Sequence, residues 1–156
     1  MSFKELSIMS DKKGTVLFYP YIPAKSLKIL KKTLSTRWIG QGPMVDKFEK
    51  KFKDIFLKGK ECVSTGSGTD ALHLAYLLAG IKKGDEVITP VFTCTATNIP
   101  LLYIGAKIKF ADIDPKTMNI SIESLKRLIS KKTKAIVCVH YGGIPCDMNA
   151  IRKLAK

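Results

Sequence analysis

Hydrophobic and polar positions change rhythm along this chain, and the changes mark its elements. The first stretch of about 20 residues has no clear period. Tyr19-Pro20-Tyr21-Ile22-Pro23 reads as an extended arm, because each proline pushes the residue before it out of the helical region. Residues 24–34 place Leu27, Leu30 and Leu34 on one helical face. Trp38-Ile39-Gly40-Gln41-Gly42-Pro43 is a loop, with Pro43 suited to the first turn of the next helix. In that helix Val45, Phe48, Phe52, Ile55 and Phe56 recur at helical spacing, which predicts a core-facing stripe ended by Gly59.

From residue 60 the pattern alternates between strand and helix. Residues 61–65 read as strand, and 69–79 as a helix stopped by Gly80. Residues 86–92 form a near-continuous apolar strand. A short helix follows over 95–104, carrying Pro100 and ended by Gly105. Residues 107–113 are strand, 121–130 a helix with Ser121 as its cap, and 134–140 another apolar strand. Asp147 caps a helix that runs on to Lys156. Strands apolar throughout, alternating with helices, predict an α/β fold with a parallel sheet covered on both faces. The division read from this is an arm over 1–23 and one α/β region over 24–156. The last turn has no glycine, proline or polar tail after it, and the series next calls for a strand. The pattern therefore reads as the N-terminal part of a longer chain.

Composition narrows the picture. The chain has 156 residues, 46% of them hydrophobic, which is enough for one domain with a core. Its four cysteines, Cys62, Cys94, Cys138 and Cys146, form no C-x-x-C pair and no cluster with histidine. That argues against structural zinc or a disulfide framework and fits a reducing cytoplasm. No secretory signal is visible in MSFKELSIMSDKKG, and no apolar run is long enough to span a bilayer, so no membrane partner is expected. The net charge of +14 invites a nucleic-acid reading. The 27 basic residues, however, are 24 lysines and only Arg37, Arg127 and Arg152. Base reading and bidentate phosphate clamping favour arginine, and scattered lysines read as solvated helix faces.

The candidate chemistry lies in Ser64-Thr65-Gly66-Ser67-Gly68-Thr69-Asp70-Ala71-Leu72, between a strand-like and a helix-like run. Small residues at such a turn leave backbone N–H groups bare ahead of the helix, which outlines an anion cradle. Gly66-x-Gly68-x-x-Ala71 also satisfies the dinucleotide fingerprint. That reading needs an acid at the carboxyl end of the second strand, to hold a ribose hydroxyl. Asp85 and Glu86 stand at the start of that strand instead, and its end reads Thr89-Pro90-Val91-Phe92-Thr93. No Walker A loop occurs. A single phosphate fits better, held by the N–H groups of Gly68, Thr69 and Asp70 with the hydroxyls of Ser67 and Thr69. An ordinary capped turn remains the alternative on the residues alone. The other strand ends carry Asp112 and Asp114, read as turn residues before Pro115, and His140, read as a satisfied strand-end histidine.

Taken together, these segments resemble the DegT/StrS-type sugar aminotransferases, a branch of the fold-type-I pyridoxal phosphate (PLP) enzymes. The matching pieces occur in order: Trp38 to Pro43 with Phe48-Glu49; Ser67-Gly68-Thr69-Asp70-Ala71-Leu72; Gly84-Asp85-Glu86-Val87-Ile88-Thr89-Pro90; Phe92-Thr93 with Ala96-Thr97; Gly105-Ala106; Asp112-Ile113-Asp114; Thr133-Lys134-Ala135-Ile136; and Val139-His140-Tyr141-Gly142. They cover residues 18–156.

The resemblance implies the large-domain fold of those enzymes, with strands numbered along the chain lying in the order 3-2-4-5-6-7-1. This chain would supply strands 1 to 4. Strands 3, 2 and 4 could pair, while strand 1, over 61–65, would be left with open edges. It further implies that Ser67, Gly68, Thr69 and Asp70 hold the PLP phosphate. The position of Cys94 lies over the pyridine ring, where many relatives have an aromatic residue. Trp38, Gly40 and Gln41 lie near the entry of the sugar nucleotide. The implied activity is transamination of a nucleotide-linked keto sugar with an amino donor such as glutamate, in a cytoplasmic homodimer. The Schiff-base lysine and the acid facing the pyridine nitrogen lie in the family beyond the segment matching 139–142. None of the 24 lysines stands in the Schiff-base context, so the 156 residues alone are expected neither to hold PLP tightly nor to transaminate. A PLP-dependent sugar dehydratase of the same family, an NAD-type oxidoreductase and a basic nucleic-acid-binding module are the alternatives.

Overall fold

The computed structural model describes residues 20–156. The aperiodic start of the chain, Tyr19 and most of the expected arm lie outside the described residues. The chain divides into two units, with the boundary in sequence between Cys62 and Val63.

The first unit is helical. Pro20 to Pro23 are irregular, and Pro23 is extended at φ −62°, ψ 138°. Helix α1 spans Ala24–Ser35 and α2 spans Pro43–Phe52, with Pro43 in its first turn as its fixed φ favours. A π-helical turn, Lys53–Leu57, follows α2, and Lys58 ends it in the left-handed region at φ 45°. Glu61 and Cys62 turn back onto this helix. Glu61 pairs with Lys53, and the Cys62 thiol donates to the Glu49 carbonyl at 3.3 Å. No strand forms over 61–65, which corrects the local reading of that run. A strand needs a partner edge, and here the side chains of 61 and 62 bond to a helix instead.

The phenylalanine stripe is a second correction. No residue of α1, α2 or the π-turn is buried, and Phe56 is 65% exposed. The rings stack on one another, Phe48 on Phe52 at 6.0 Å between centroids and Phe52 on Phe56 at 4.9 Å. Helical spacing sets which side chains share a face, but burial needs an opposing surface. Within this unit the described residues supply none.

The second unit is a parallel sheet with helices on both faces. Helix α3 spans Gly68–Leu78. Strand β1 covers Glu86–Pro90, and a 3-10 turn over Thr95–Thr97 leads into α4, Ile99–Ile104. Strand β2 is Lys107–Ala111, α5 is Ile122–Leu128, β3 is Thr133–Ile136 and α6 is Met148–Leu154. The sheet order is β2-β1-β3, with β1 parallel to both neighbours. These are the runs expected as strands 3, 2 and 4, in the expected order. The register pairs Glu86 with Lys107 and Pro90 with Ala111 on one side, and Ile88 with Ile136 on the other.

The alternation of β1 builds two cores. Val87 packs with Tyr76, Ile81, Leu101 and Ala106 on the face covered by α3 and α4. Ile88 packs with Ala111, Ile120, Leu125, Cys146 and Ile151 on the face covered by α5 and α6. Successive residues of a strand point to opposite faces, so one central strand nucleates both layers. The helix caps follow the residue types. Ser67, Ser121 and Asp147 accept from the N–H three residues on, at Asp70, Ser124 and Ala150. Helix α3 ends in a Schellman motif, with Ile81 N–H on the Tyr76 carbonyl and Gly80 N–H on the Leu77 carbonyl. Helix α6 ends at Leu154, short of the expected run to Lys156.

Candidate functional site

The turn ahead of α3 is built by local hydrogen bonds. Ser67 is extended at φ −157°, and its hydroxyl accepts from the Asp70 N–H at 3.1 Å. The same hydroxyl donates to the Asp70 carboxylate at 2.8 Å, so the Ser67 side chain bonds both the N–H and the carboxylate of Asp70. Thr65 Oγ1 donates to the Ser67 carbonyl at 2.9 Å and fixes the approach. A Cβ at Gly66 would stand 3.2 Å from the Asp70 carboxylate, so the small residue makes room for the returning side chain.

Of the three N–H groups expected to meet a phosphate, that of Asp70 is engaged by Ser67. Those of Gly68 and Thr69 have no acceptor among the described residues. They are orphan donors of the first helical turn, at the positive end of the helix dipole. A Cβ at Gly68 would meet nothing within 4 Å, so the turn is uncrowded at that residue. Two open N–H groups, an adjacent Thr69 hydroxyl and a helix N-terminus fit one phosphate. The carboxylate of Asp70, turned onto Ser67, is compatible with that only in its present orientation.

The turn carrying Cys94 is tied to the same helix. Cys94 is exposed and precedes the 3-10 turn, its carbonyl accepting from the Thr97 N–H at 2.9 Å. Thr93 and Thr97 hydroxyls meet at 2.7 Å, and the Tyr76 hydroxyl donates to the Thr97 carbonyl at 3.0 Å. Tyr76 sits in α3 and is 7% exposed, and burial pushes its phenol above the usual range, so it stays a neutral donor. The phosphate turn and the Cys94 turn are thus attached to one helix. Sequence reading missed Tyr76. Its signal was a polar tip at an apolar position of a helix, which needs a partner wherever it is buried.

Trp38, Gly40 and Gln41 belong to the first unit. Trp38 Nε1 donates to the Gln41 carbonyl at 2.5 Å, and any Cβ at Gly42 would collide with the Trp38 ring. Trp38 and Gly40 line an apolar cleft of about 680 Å³ between α1 and α2.

The remaining polar residues at the carboxyl ends have structural partners. Asp114 Oδ1 accepts from the N–H groups of Lys116 and Thr117, and Asp112 Oδ1 from that of Ile113. His140 Nδ1 accepts from the Cys146 N–H at 3.0 Å. Asp85 caps the turn at Lys82, and Glu86 bonds Lys109 at 2.7 Å and Ser130 at 2.8 Å. Both acids sit at the amino end of β1, away from where a dinucleotide ribose would lie.

Comparison with known proteins gives the family and the fold. The chain is 40% identical over 150 residues to the spore coat polysaccharide biosynthesis protein SpsC of Bacillus subtilis, covering 95% of this chain and 38% of that protein. It is 38% identical over 139 residues to a GDP-perosamine synthase of Vibrio cholerae, covering 88% of this chain and 38% of that enzyme. Among solved structures it superposes on an E. coli GDP-4-keto-6-deoxy-D-mannose-3-dehydratase with bound hydrated PLP, at a TM-score of 0.80 and 32% identity. That match covers 90% of this chain and 38% of the dehydratase. The chain thus spans 38% of the length of these relatives, and its fold is that of the PLP-dependent aminotransferases. With residues 20–156 matched by the family's sequence model, the chain belongs to the DegT/DnrJ/EryC1/StrS aminotransferase family.

Proposed function

We propose that this chain supplies the phosphate-holding part of an enzyme that uses pyridoxal phosphate to move an amino group from a donor such as glutamate onto a nucleotide-linked keto sugar. The observation that carries the reading is the turn ahead of α3, where Gly68 and Thr69 present open N–H groups at a helix N-terminus. The relatives named for GDP-perosamine synthesis and spore coat polysaccharide support the substrate class.

When bound, the cofactor supplies an electron sink for transamination. This chain's own residues bind and orient it. Gly68 and Thr69 N–H groups hold its phosphate, with the Thr69 hydroxyl as a further donor. The helix dipole adds about 0.3–1 kcal/mol for a singly charged group near an exposed end. Ser67 keeps the Asp70 carboxylate turned away from the phosphate. Tyr76, through Thr97, fixes the Cys94 turn against the helix that carries the cradle. Trp38, Gly40 and Gln41 meet the sugar nucleotide. The lysine that joins the cofactor and the acid that faces its ring nitrogen are assigned to none of these 156 residues. The working enzyme is a cytoplasmic homodimer. Among the described residues no helix is long and apolar enough to cross a membrane.

A second reading is favoured by one observation, the superposition on a sugar dehydratase. It shares the cradle and differs in the residue that replaces the cofactor-joining lysine.

The test is a titration of the isotope-labelled chain with pyridoxal phosphate, followed by amide NMR. Saturable shifts at Gly68 and Thr69, with none at Asp85 or Glu86, are the expected result. Shifts confined to other residues, or none, overturn the assignment of the cradle. An absorbance band that survives dialysis and moves on borohydride reduction would show that a lysine of this chain joins the cofactor after all.

A further inference from the structure

We propose that Cys138 and Cys146 form a modification site, an intramolecular disulfide across the loop that follows β3. The proposal stands apart from the cradle and from the reading of its ligand.

Cys146 is 5% exposed, and its thiol donates to the Val139 carbonyl at 3.2 Å. Its sulfur therefore lies against the backbone one residue beyond Cys138. Cys138 packs on the buried cluster that contains Cys146. The backbone between them is held at several points. Asn119, itself 4% exposed, accepts from the Tyr141 N–H at 3.0 Å and donates to the Ile144 carbonyl at 3.0 Å. The Cys146 N–H donates to His140 Nδ1 at 3.0 Å. The loop from Cys138 to Cys146 is thus pinned at both ends, which holds the Cys146 sulfur beside the backbone next to Cys138. A cleft of about 430 Å³, lined by Asn119, Pro145, Cys146 and Asp147, opens beside Cys146 and gives a small oxidant a route. Cys94 is exposed on the turn after β1, and Cys62 lies in the other unit.

The oxidant is a small-molecule disulfide such as oxidised glutathione. One cysteine thiolate attacks its S–S bond and releases one thiol, leaving a mixed disulfide. The second cysteine thiolate attacks that mixed disulfide at the protein sulfur and releases the other thiol. Two protein S–H bonds and one oxidant S–S bond become one protein S–S bond and two oxidant S–H bonds. Two electrons pass from protein to oxidant. Burial, with Cys146 alongside, holds the Cys138 thiol above its usual range, so exchange accelerates as pH rises. The product loses the bond from Cys146 to the Val139 carbonyl. It closes covalently the loop bearing His140 and Tyr141, whose ring rests on Phe92 at 4.8 Å between centroids.

The native chain is incubated with oxidised glutathione at about pH 8, its free thiols are alkylated with iodoacetamide, and it is digested with trypsin without reduction. Lys134 and Arg152 bound one peptide, 135–152, that contains both cysteines. The expected peptide is two hydrogens lighter than its reduced form, carries no alkyl group, and takes up two after reduction. The Cys94 peptide instead carries glutathione or an alkyl group. The link is about tenfold more abundant in the native chain than in the chain unfolded in urea under the same oxidant. A doubly alkylated or doubly glutathionylated peptide 135–152 from the native chain overturns the proposal, and so does equal linkage in urea. In Cys138→Ser the light form disappears; its persistence there would also overturn it.

Discussion

Leu30 on α1 and Leu125 on α5 both belong to apolar stripes at helical spacing, yet Leu30 is 54% exposed and Leu125 is fully buried. The same contrast separates Phe56 of the first unit from Ile88 of the second. In the second unit a parallel sheet offers two flat faces, and every helix laid on it finds an apolar surface. In the first unit two helices and a π-turn face no sheet of their own. An amphipathic helix therefore states a requirement for a partner surface, and the fold of its own neighbourhood decides whether that is met. Large exposed apolar patches of this kind mark surfaces that take a partner.

The contrast can be broken most directly by truncation. Leu125→Ala is expected to destabilise the chain by about 2–5 kcal/mol in urea unfolding, as a fully buried leucine at the centre of one core. Phe56→Ala is expected to cost under about 1 kcal/mol in the same experiment, as an exposed ring. Equal losses would mean that the stripe of the first unit is buried in solution. Tyr76→Phe comes next, at about 1–2 kcal/mol, because the ring stays packed but the Thr97 carbonyl loses its donor. A change confined to α3, with no faster amide exchange at the Cys94 turn, would show that the two are not coupled. Ser67→Ala should cost about 1 kcal/mol through loss of the α3 cap, and it also frees the Asp70 N–H. Thermal melting and amide exchange at Asp70 check both effects.

The smallest effect is a pH dependence within the sheet. Lys109 first, then Ser130, holds the Glu86 carboxyl below its ordinary value of 4.5. A depressed carboxyl gives stability that is fully present above the unfolded value and is lost as pH falls through the folded one. Melting midpoints should therefore decline below about pH 4.5 more steeply in the native chain than in Glu86→Gln. Parallel acid limbs in the two proteins would remove Glu86 from the account.

Much of the fold is readable from residues close in the chain. Pro43, Ser67, Ser121 and Asp147 each open a helix, and Gly80 and Gly105 follow the ends of α3 and α4, because capping involves neighbours within a turn. Strand ends were less legible. The apolar run after Lys134 continues to Val139, but β3 ends at Ile136, with Val137 adding one bond to the Ile88 carbonyl. A strand extends only as far as its neighbour offers partners, and β1 itself ends at Pro90, which has no N–H to give. The run over 61–65 had strand composition and no edge to pair with.

The sequence by itself determined the local chemistry of this protein: helix starts, the two-faced alternation of the central strand, and a small-residue turn able to hold an anion. Those properties depend on side chains within a few residues of one another. Only the tertiary structure decided which apolar stripes were buried and which strand-like run joined the sheet. It also decided that Tyr76 reaches Thr97. Rotamers and long-range packing choose among partners that composition allows equally, and a bond across 21 residues leaves no periodic trace in the chain.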